Sequence, residues 1–307
     1  MPGGGNWIAR RGTPSGGGSV REDAAATRPT VRLLDRSDLD AALAVCARDV
    51  VANTFVAARL LAGGINPRGG GELWGYYEDG ELRSLCWAGA NLVPVEATPA
   101  AVEAFAARAR RTGRHCSSLV GPAGAVLELW RLLELYWGPA REVRACQPLL
   151  ALDRPPLVAP DPQVRRSRLD ELALVVPACV AMFTEEVGYS PVAADGGALY
   201  HAQVTALVSA GRSFVRTDPG PRGPRVTFKA ELGSVTPAAV QVQGVWVDPA
   251  RRGEGHAVAG MASVVLAVRA EVAPVVSLYV NGFNHRAVHV YEKVGFTQVG
   301  TFATVLF

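Results

Sequence analysis

Apolar and polar positions alternate, or recur at helical spacing, along most of the chain from Val31 onward. In the second half, 164–168 (VRRSR) reads as a strand, 170–187 (DELALVVPACVAMFTEEV) as a helix and 196–210 (GGALYHAQVTALVSA) as another helix. Three β-rich runs follow at 213–217, 225–232 and 238–247. Val258, Met261, Val265 and Val268 then repeat at the spacing of an α-helix. A strand over 275–281, a helix from Asn284 ended by Gly295, and a closing β stretch over 296–307 complete the series. The first half repeats this grammar. Residues 74–87 (WGYYEDGELRSLCW) predict a hairpin turning at Asp79-Gly80. Residues 98–113 and 123–137 predict helices.

The halves also align in detail. At an offset of 133, Val31 pairs with Val164, Arg32 with Arg165, Asp38 with Glu171, Leu39 with Leu172 and Cys46 with Cys179. Between them, 153–163 contains Pro155, Pro156, Pro160 and Pro162, the composition of a semi-rigid linker.

One stretch carries chemistry. Val245-Trp246-Val247-Asp248-Pro249 ends a β-branched run, Arg251 to Gly255 form a basic glycine turn, and an apolar helix opens at His256. Glycines let a backbone approach an anion, and the free N–H groups of a helix start point partial positive charge at it. Neither G-x-G-x-x-G nor G-x-x-x-x-G-K-[ST] occurs here, so neither a dinucleotide nor a Walker loop is indicated. The R-x-x-G-x-A of Arg252, Gly255 and Ala257 resembles the pyrophosphate loop of the GNAT acetyltransferases. Asn284 to Phe296 (NHRAVHVYEKVGF) resembles that family's N-x-x-A-x-x-x-Y-x-K-x-G-F segment.

The resemblance implies an α/β (α+β) fold of tandem GNAT-like domains, each a mixed, largely antiparallel twisted sheet flanked by helices. The expected division is a disordered tail over 1–30, a degenerate GNAT-like domain over 31–152, the linker over 153–163 and a catalytic domain over 164–307. The first domain is read as degenerate because 91–105 (NLVPVEATPAAVEAF), where its cradle should lie, has neither glycine nor arginine. Tandem GNAT proteins of actinobacteria look similar.

The implied donor is acetyl-CoA and the implied acceptor a primary amine of a small molecule or peptide. Backbone N–H groups of Val245, Trp246 and Val247 are expected to bind the thioester oxygen at a strand bulge. Arg252, Gly253, Glu254, Gly255, His256 and Ala257 are expected to hold the pyrophosphate. Asn284 has two readings of equal weight, a helix cap or a contact to the pantetheine arm. Tyr291 is either a core tyrosine or the general acid for the leaving thiolate. Gln243 stands where many family members carry a glutamate base. Glu231 is the first substitute, Glu185 or Glu186 the second, and the carboxylate of Phe307 a third. Phe183, Tyr189 and Trp246 are candidate walls of the acceptor pocket. The loss of the usual acid motivates an alternative, a catalytically silent acyl-CoA-binding module. An aminoacyl transferase using charged tRNA is a further alternative.

Composition bounds these readings. At 307 residues, 49% apolar and 19% charged, the chain suits two globular domains. Of the net +3, the first thirty residues hold +2, leaving a nearly neutral body that argues against nucleic acid and against tRNA. Cysteines 46, 86, 116, 146 and 179 show no metal or disulfide spacing and suit a reducing compartment. His285 and His289 lie four apart, but no neighbouring acid or cysteine completes a zinc set, so no metal is expected. With no signal peptide or membrane segment in the pattern, the cytoplasm is the expected location. The protein is expected to be a monomer or homodimer.

Overall fold

The computed structural model describes residues 29–66, 70–193, 196–221 and 223–307. The tail reading falls almost wholly outside them, and Thr30 already belongs to the first strand. The first half runs β1 (Thr30–Leu33), α1 (Leu39–Cys46), α2 (Thr54–Gly63), β2 (Gly71–Glu78), β3 (Glu81–Gly89), β4 (Asn91–Val95), α3 (Pro99–Thr112), β5 (Ser118–Pro122), α4 (Ala123–Trp137) and β6 (Glu142–Leu152). The second runs β7 (Arg165–Arg166), α5 (Leu172–Val187), α6 (Ala198–Ser209), β8 (Ser213–Asp218), β9 (Arg225–Val235), β10 (Ala239–Val247), α7 (His256–Glu271), β11 (Val275–Tyr279), α8 (His285–Val294) and β12 (Thr297–Leu306).

Local chemistry accounts for the element ends. Asp79 (φ 51°) and Gly80 (φ 77°) both take positive φ in the β2–β3 hairpin, as a two-residue turn matched to strand twist requires. The internal repeat has a physical basis. Arg32 grips Asp38 with two hydrogen bonds and Arg165 grips Glu171 the same way. Each carboxylate also accepts the N–H three residues earlier, of Asp35 at 3.0 Å and of Arg168 at 2.9 Å. Each pair therefore ties an edge strand to the turn that opens α1 or α5.

All twelve strands form one sheet, in the order β1-β2-β3-β4-β5-β12-β6-β11-β10-β9-β8-β7. Among the described strands, only β4–β5 and β10–β11 are parallel. The halves are joined by exchange: β12 inserts between β5 and β6, and β6 lies between β12 and β11. The two exchanged strands pair antiparallel from Thr297↔Ala151 to Leu306↔Glu142. Their side chains cross over as well. Leu150 and Leu152 pack with α7 and α8 in the second half's core, and Ala303 and Val305 with α3 and α4 in the first. Full burial of Leu150, Leu152 and Val305 is worth roughly 1.5–3 kcal/mol each. The faces opposite carry α1 and α2 in the first half and α5 and α6 in the second.

The proline-rich connection is stitched down. Leu157 N–H donates to the Val294 carbonyl and Asp161 N–H to the Ala259 carbonyl, while Asp161 Oδ2 receives Arg216 at 2.7 Å.

Candidate active site

Strands β10 and β11 pair only from Ala239↔Val275 to Gln241↔Ser277, and then part. The far edge of β11 is held by β6, so the gap cannot close from that side. A cleft of about 1090 Å³ fills the gap, floored by β10 and walled by α5, α8 and the turn before α7. Gln147 of β6 braces its wall: its Nε2 donates to Asn281 Oδ1 at 2.9 Å, and its Oε1 accepts from Thr304 of β12 at 2.6 Å. The exchange of strands thus supports the cleft directly.

The β9–β10 ladder breaks in the cleft floor. Gln243 faces Glu231 and Trp246 faces Lys229, which leaves Gly244 and Val245 without cross-strand partners. This is a β-bulge, with Gly244 at φ +60°.

At one end of the cleft the chain passes from β10 to α7 through a tight turn. Gly253 (φ +91°) and Gly255 (φ +88°) are both left-handed. Gly255 is the helix cap and supplies no side-chain bond, so the first N–H groups of α7 are left for a ligand. A Cβ on either glycine would meet nothing within 4 Å, so the space in front of the turn is open. Arg251 is clamped by Glu254 and Asp218, and His256 Nε2 lies 3.1 Å from Glu254. Arg252 donates to the Val247 carbonyl and reaches Glu185 at 2.6 Å. Glu185 also accepts from Trp246 Nε1 at 3.1 Å.

Tyr291 of α8 is 7% exposed and lines the cleft. Its hydroxyl has no hydrogen-bond partner among the described residues. Burial, and then the nearby Glu186 carboxylate, push it above the ordinary tyrosine range, so it stays protonated at neutral pH. Glu186 lines the cleft with no ion-pair partner among the described residues. Glu231 also lines the cleft, but it is 5% exposed and committed to Lys229 at 2.7 Å and to the Cys179 thiol at 3.2 Å. Gln243 is exposed and lies over Gly233. Asn284 caps α8, accepting from Ala287 N–H at 3.1 Å, and also borders the cleft.

Phe183 and Trp246 line the cleft; Tyr189 does not, standing 53% exposed against the Phe183 ring. The carboxylate of Phe307 is corrected. Its residue packs between Trp130 and Trp137 of α4, because β12 ends in the other half of the sheet. His285 and His289 are exposed on α8, and no group of three metal-binding side chains occurs among the described residues.

Comparison with known proteins matches part of each half to a family. Residues 219–296, from the β8–β9 turn through α8, match the acetyltransferase (GNAT) family. The second half contains a GNAT domain. Residues 71–175 match a family described as a domain of unknown function, DUF4081. No curated protein matches the chain. Among solved structures, an acetyltransferase from the GNAT family of Colwellia psychrerythraea aligns at TM-score 0.55 and 12% identity, covering 91% of this chain and 99% of the other. A GCN5-related N-acetyltransferase from Sphaerobacter thermophilus aligns at 0.56 and 16%, covering 91% and 96%. A tandem GNAT protein from the clavulanic acid biosynthesis pathway aligns at 0.54 and 13%, covering 91% and 98%. At such identities the likeness is one of fold, and it extends over both halves.

The GNAT fold supports acyl-CoA-dependent acyl transfer in general, and this cleft suits such a donor. The open turn and uncapped α7 fit a pyrophosphate, and the bulge at Gly244 and Val245 lies just before β10 ends at Val247. No described helix is long and apolar enough to cross a membrane.

Proposed function

We propose that the chain is an acetyl-CoA-dependent N-acetyltransferase acting on a primary amine of a small molecule or peptide in the cytoplasm. In this reading 164–307 is the catalytic domain, 31–152 a degenerate GNAT-like support and 153–163 their connection. The observation that carries it is the combination, in one cleft, of an uncapped helix start behind two left-handed glycines with an unpaired tyrosine hydroxyl and an unpaired carboxylate.

The backbone from Arg252 to Ala257 holds the pyrophosphate, and Arg252 exchanges Glu185 for it. Bound there, the donor supplies the acyl thioester. The N–H groups at Val245 to Val247 accept its oxygen where negative charge develops. Glu186 takes the proton of the incoming ammonium, because Glu231 is occupied by Lys229. The amine nitrogen bonds to the thioester carbon, the C–S bond breaks, and the Tyr291 hydroxyl gives its proton to the departing sulfur. The nitrogen's second proton and the one on Glu186 leave to solvent, from which Tyr291 regains one, for a net release of one proton.

Calorimetric titration with CoA and acetyl-CoA, followed by an amine panel, tests the proposal. Tyr291→Phe and Glu186→Gln should each lower turnover by roughly 10²–10⁴-fold while leaving CoA affinity intact. CoA binding with no turnover on any amine would replace the enzyme with a silent acyl-CoA binder, the reading that Gln243 favours.

A further inference from the structure

Directly beneath the bulge, Lys229 of β9 is 0% exposed. Burying an ammonium group is costly, and buried ion pairs are often no better for stability than the apolar residues that could replace them. Stability alone is therefore a weak account of a lysine in this position. Its surroundings are specific. The Nζ donates to the Gly244 carbonyl at 3.0 Å and pairs with Glu231 Oε1 at 2.7 Å. The same Oε1 accepts from the Cys179 thiol, which burial pushes up to about 12 and so keeps protonated as a donor. A Cβ on Gly244 would lie 3.1 Å from Lys229 Nζ, Glu231 Oε2 and Met182 Cε alike. Glycine is thus needed twice there, for its φ of +60° and for the approach of this pair.

The peptide joining Gly244 to Val245 is trans, as is every peptide bond described, so its C=O and N–H point in opposite directions. The carbonyl points to the Lys229 ammonium. The Val245 N–H consequently points away from that ammonium, and Val245 lines the cleft. A cation on the carbonyl end of a peptide draws electron density from its N–H end, and charge-assisted bonds are about twice as strong as neutral ones. Linked hydrogen bonds reinforce one another by roughly 10–30% each.

We propose that Lys229 is a positioning residue that polarises the Gly244–Val245 peptide, making the Val245 N–H a stronger donor to the thioester oxygen. Glu231 pairs with that ammonium at 2.7 Å in a buried place. This role rests on the proposed acyl-CoA site and adds a second layer to it. It also gives the Glu231 carboxylate a task other than removing the acceptor's proton.

The test is isotope-edited infrared spectroscopy of [1-¹³C]acetyl-CoA bound to the full chain. A stronger donor to the carbonyl lowers its stretching frequency. The wild-type complex should show a red shift from the solution value. Lys229→Met should lose most of that shift while CoA affinity by calorimetry is unchanged. The double variant Lys229→Met/Glu231→Gln removes both charges, leaves no buried charge unpaired, and should lose the shift equally; it carries the test if the single variant does not fold. A full shift retained in the folded variants would overturn the role and leave Lys229 purely structural. A wild-type carbonyl at its solution frequency with the donor bound would overturn it differently, by removing the oxygen site at the bulge. Failure of CoA to bind at all would fail the proposed function before this inference is reached.

Discussion

The turns from β4 to α3 and from β10 to α7 hold equivalent places in the two halves, each following a strand whose next neighbour is parallel. In the first half only Glu96, Ala97 and Thr98 intervene. Glu96 takes a positive φ of 48°, held by Asn53 Nδ2 on its carboxylate at 2.8 Å and by Ser84 on its carbonyl at 2.7 Å. Thr98 then caps α3 by accepting the Ala101 N–H, and Pro99 brings no N–H at all. In the second half the connection is longer, passes through two left-handed glycines, and ends on a helix that nothing caps. A cap and an anion compete for the same N–H groups. A helix that satisfies its own start gains about 1 kcal/mol and has nothing to offer a phosphate. A missing local stabilisation therefore marks the half proposed to bind the donor.

Gly255→Glu should break this contrast most strongly. Donor at 100-fold its Kd stabilises a folded protein by about 2.7 kcal/mol, and the variant should lose that thermal shift entirely. Gly255→Ala separates strain from ligand repulsion, costing roughly 1–2 kcal/mol through its positive φ alone. Thr98→Glu, the same charge at the other helix start, should leave the CoA response untouched. Next in size are the repeated ion pairs. Arg165 beside Glu171, and Arg32 beside Asp38, hold these carboxyls below their usual range. The unfolded chain then takes up protons more readily, so the stabilisation is full above about pH 4.5 and disappears as pH falls through the lowered native values. Urea unfolding between pH 2 and 7 should give about 1–3 kcal/mol per pair at neutral pH, with Glu171→Gln and Asp38→Asn each flattening the acid limb. Unequal effects would show that the matched geometry is not matched in energy. Smallest is Thr98→Ala, expected to cost about 1 kcal/mol in denaturant and to create no CoA binding.

Much of this contrast was legible in the residues. Gly253 and Gly255 announced the open turn, the absence of glycine from 91–105 announced the closed one, and the offset of the two halves matched Arg32 with Arg165 and Asp38 with Glu171, though not the ion pairs they form. Tyr291 was placed in reach of the cleft by its motif. The exchange of β6 and β12 was not legible, because an alternating strand looks the same whichever neighbour it pairs with. The short helix α2 was missed as well. Lys229 escaped for a different reason. Thr227, Lys229 and Glu231 alternate as a solvent-facing edge of β9 would, yet all three are buried, Lys229 and Glu231 beneath Cys179 and Met182 of α5. The preceding apolar helices were the available signal: they need a face to cover, and β9 supplies it.

The crossed strands set a timetable for synthesis. A ribosome adding roughly 5–20 residues per second leaves β5 waiting on the order of ten to forty seconds for β12 to emerge. During that interval the nascent first half carries a bare strand edge able to recruit the wrong neighbour. Loss of β12 would therefore injure the half made first as well as the half made last.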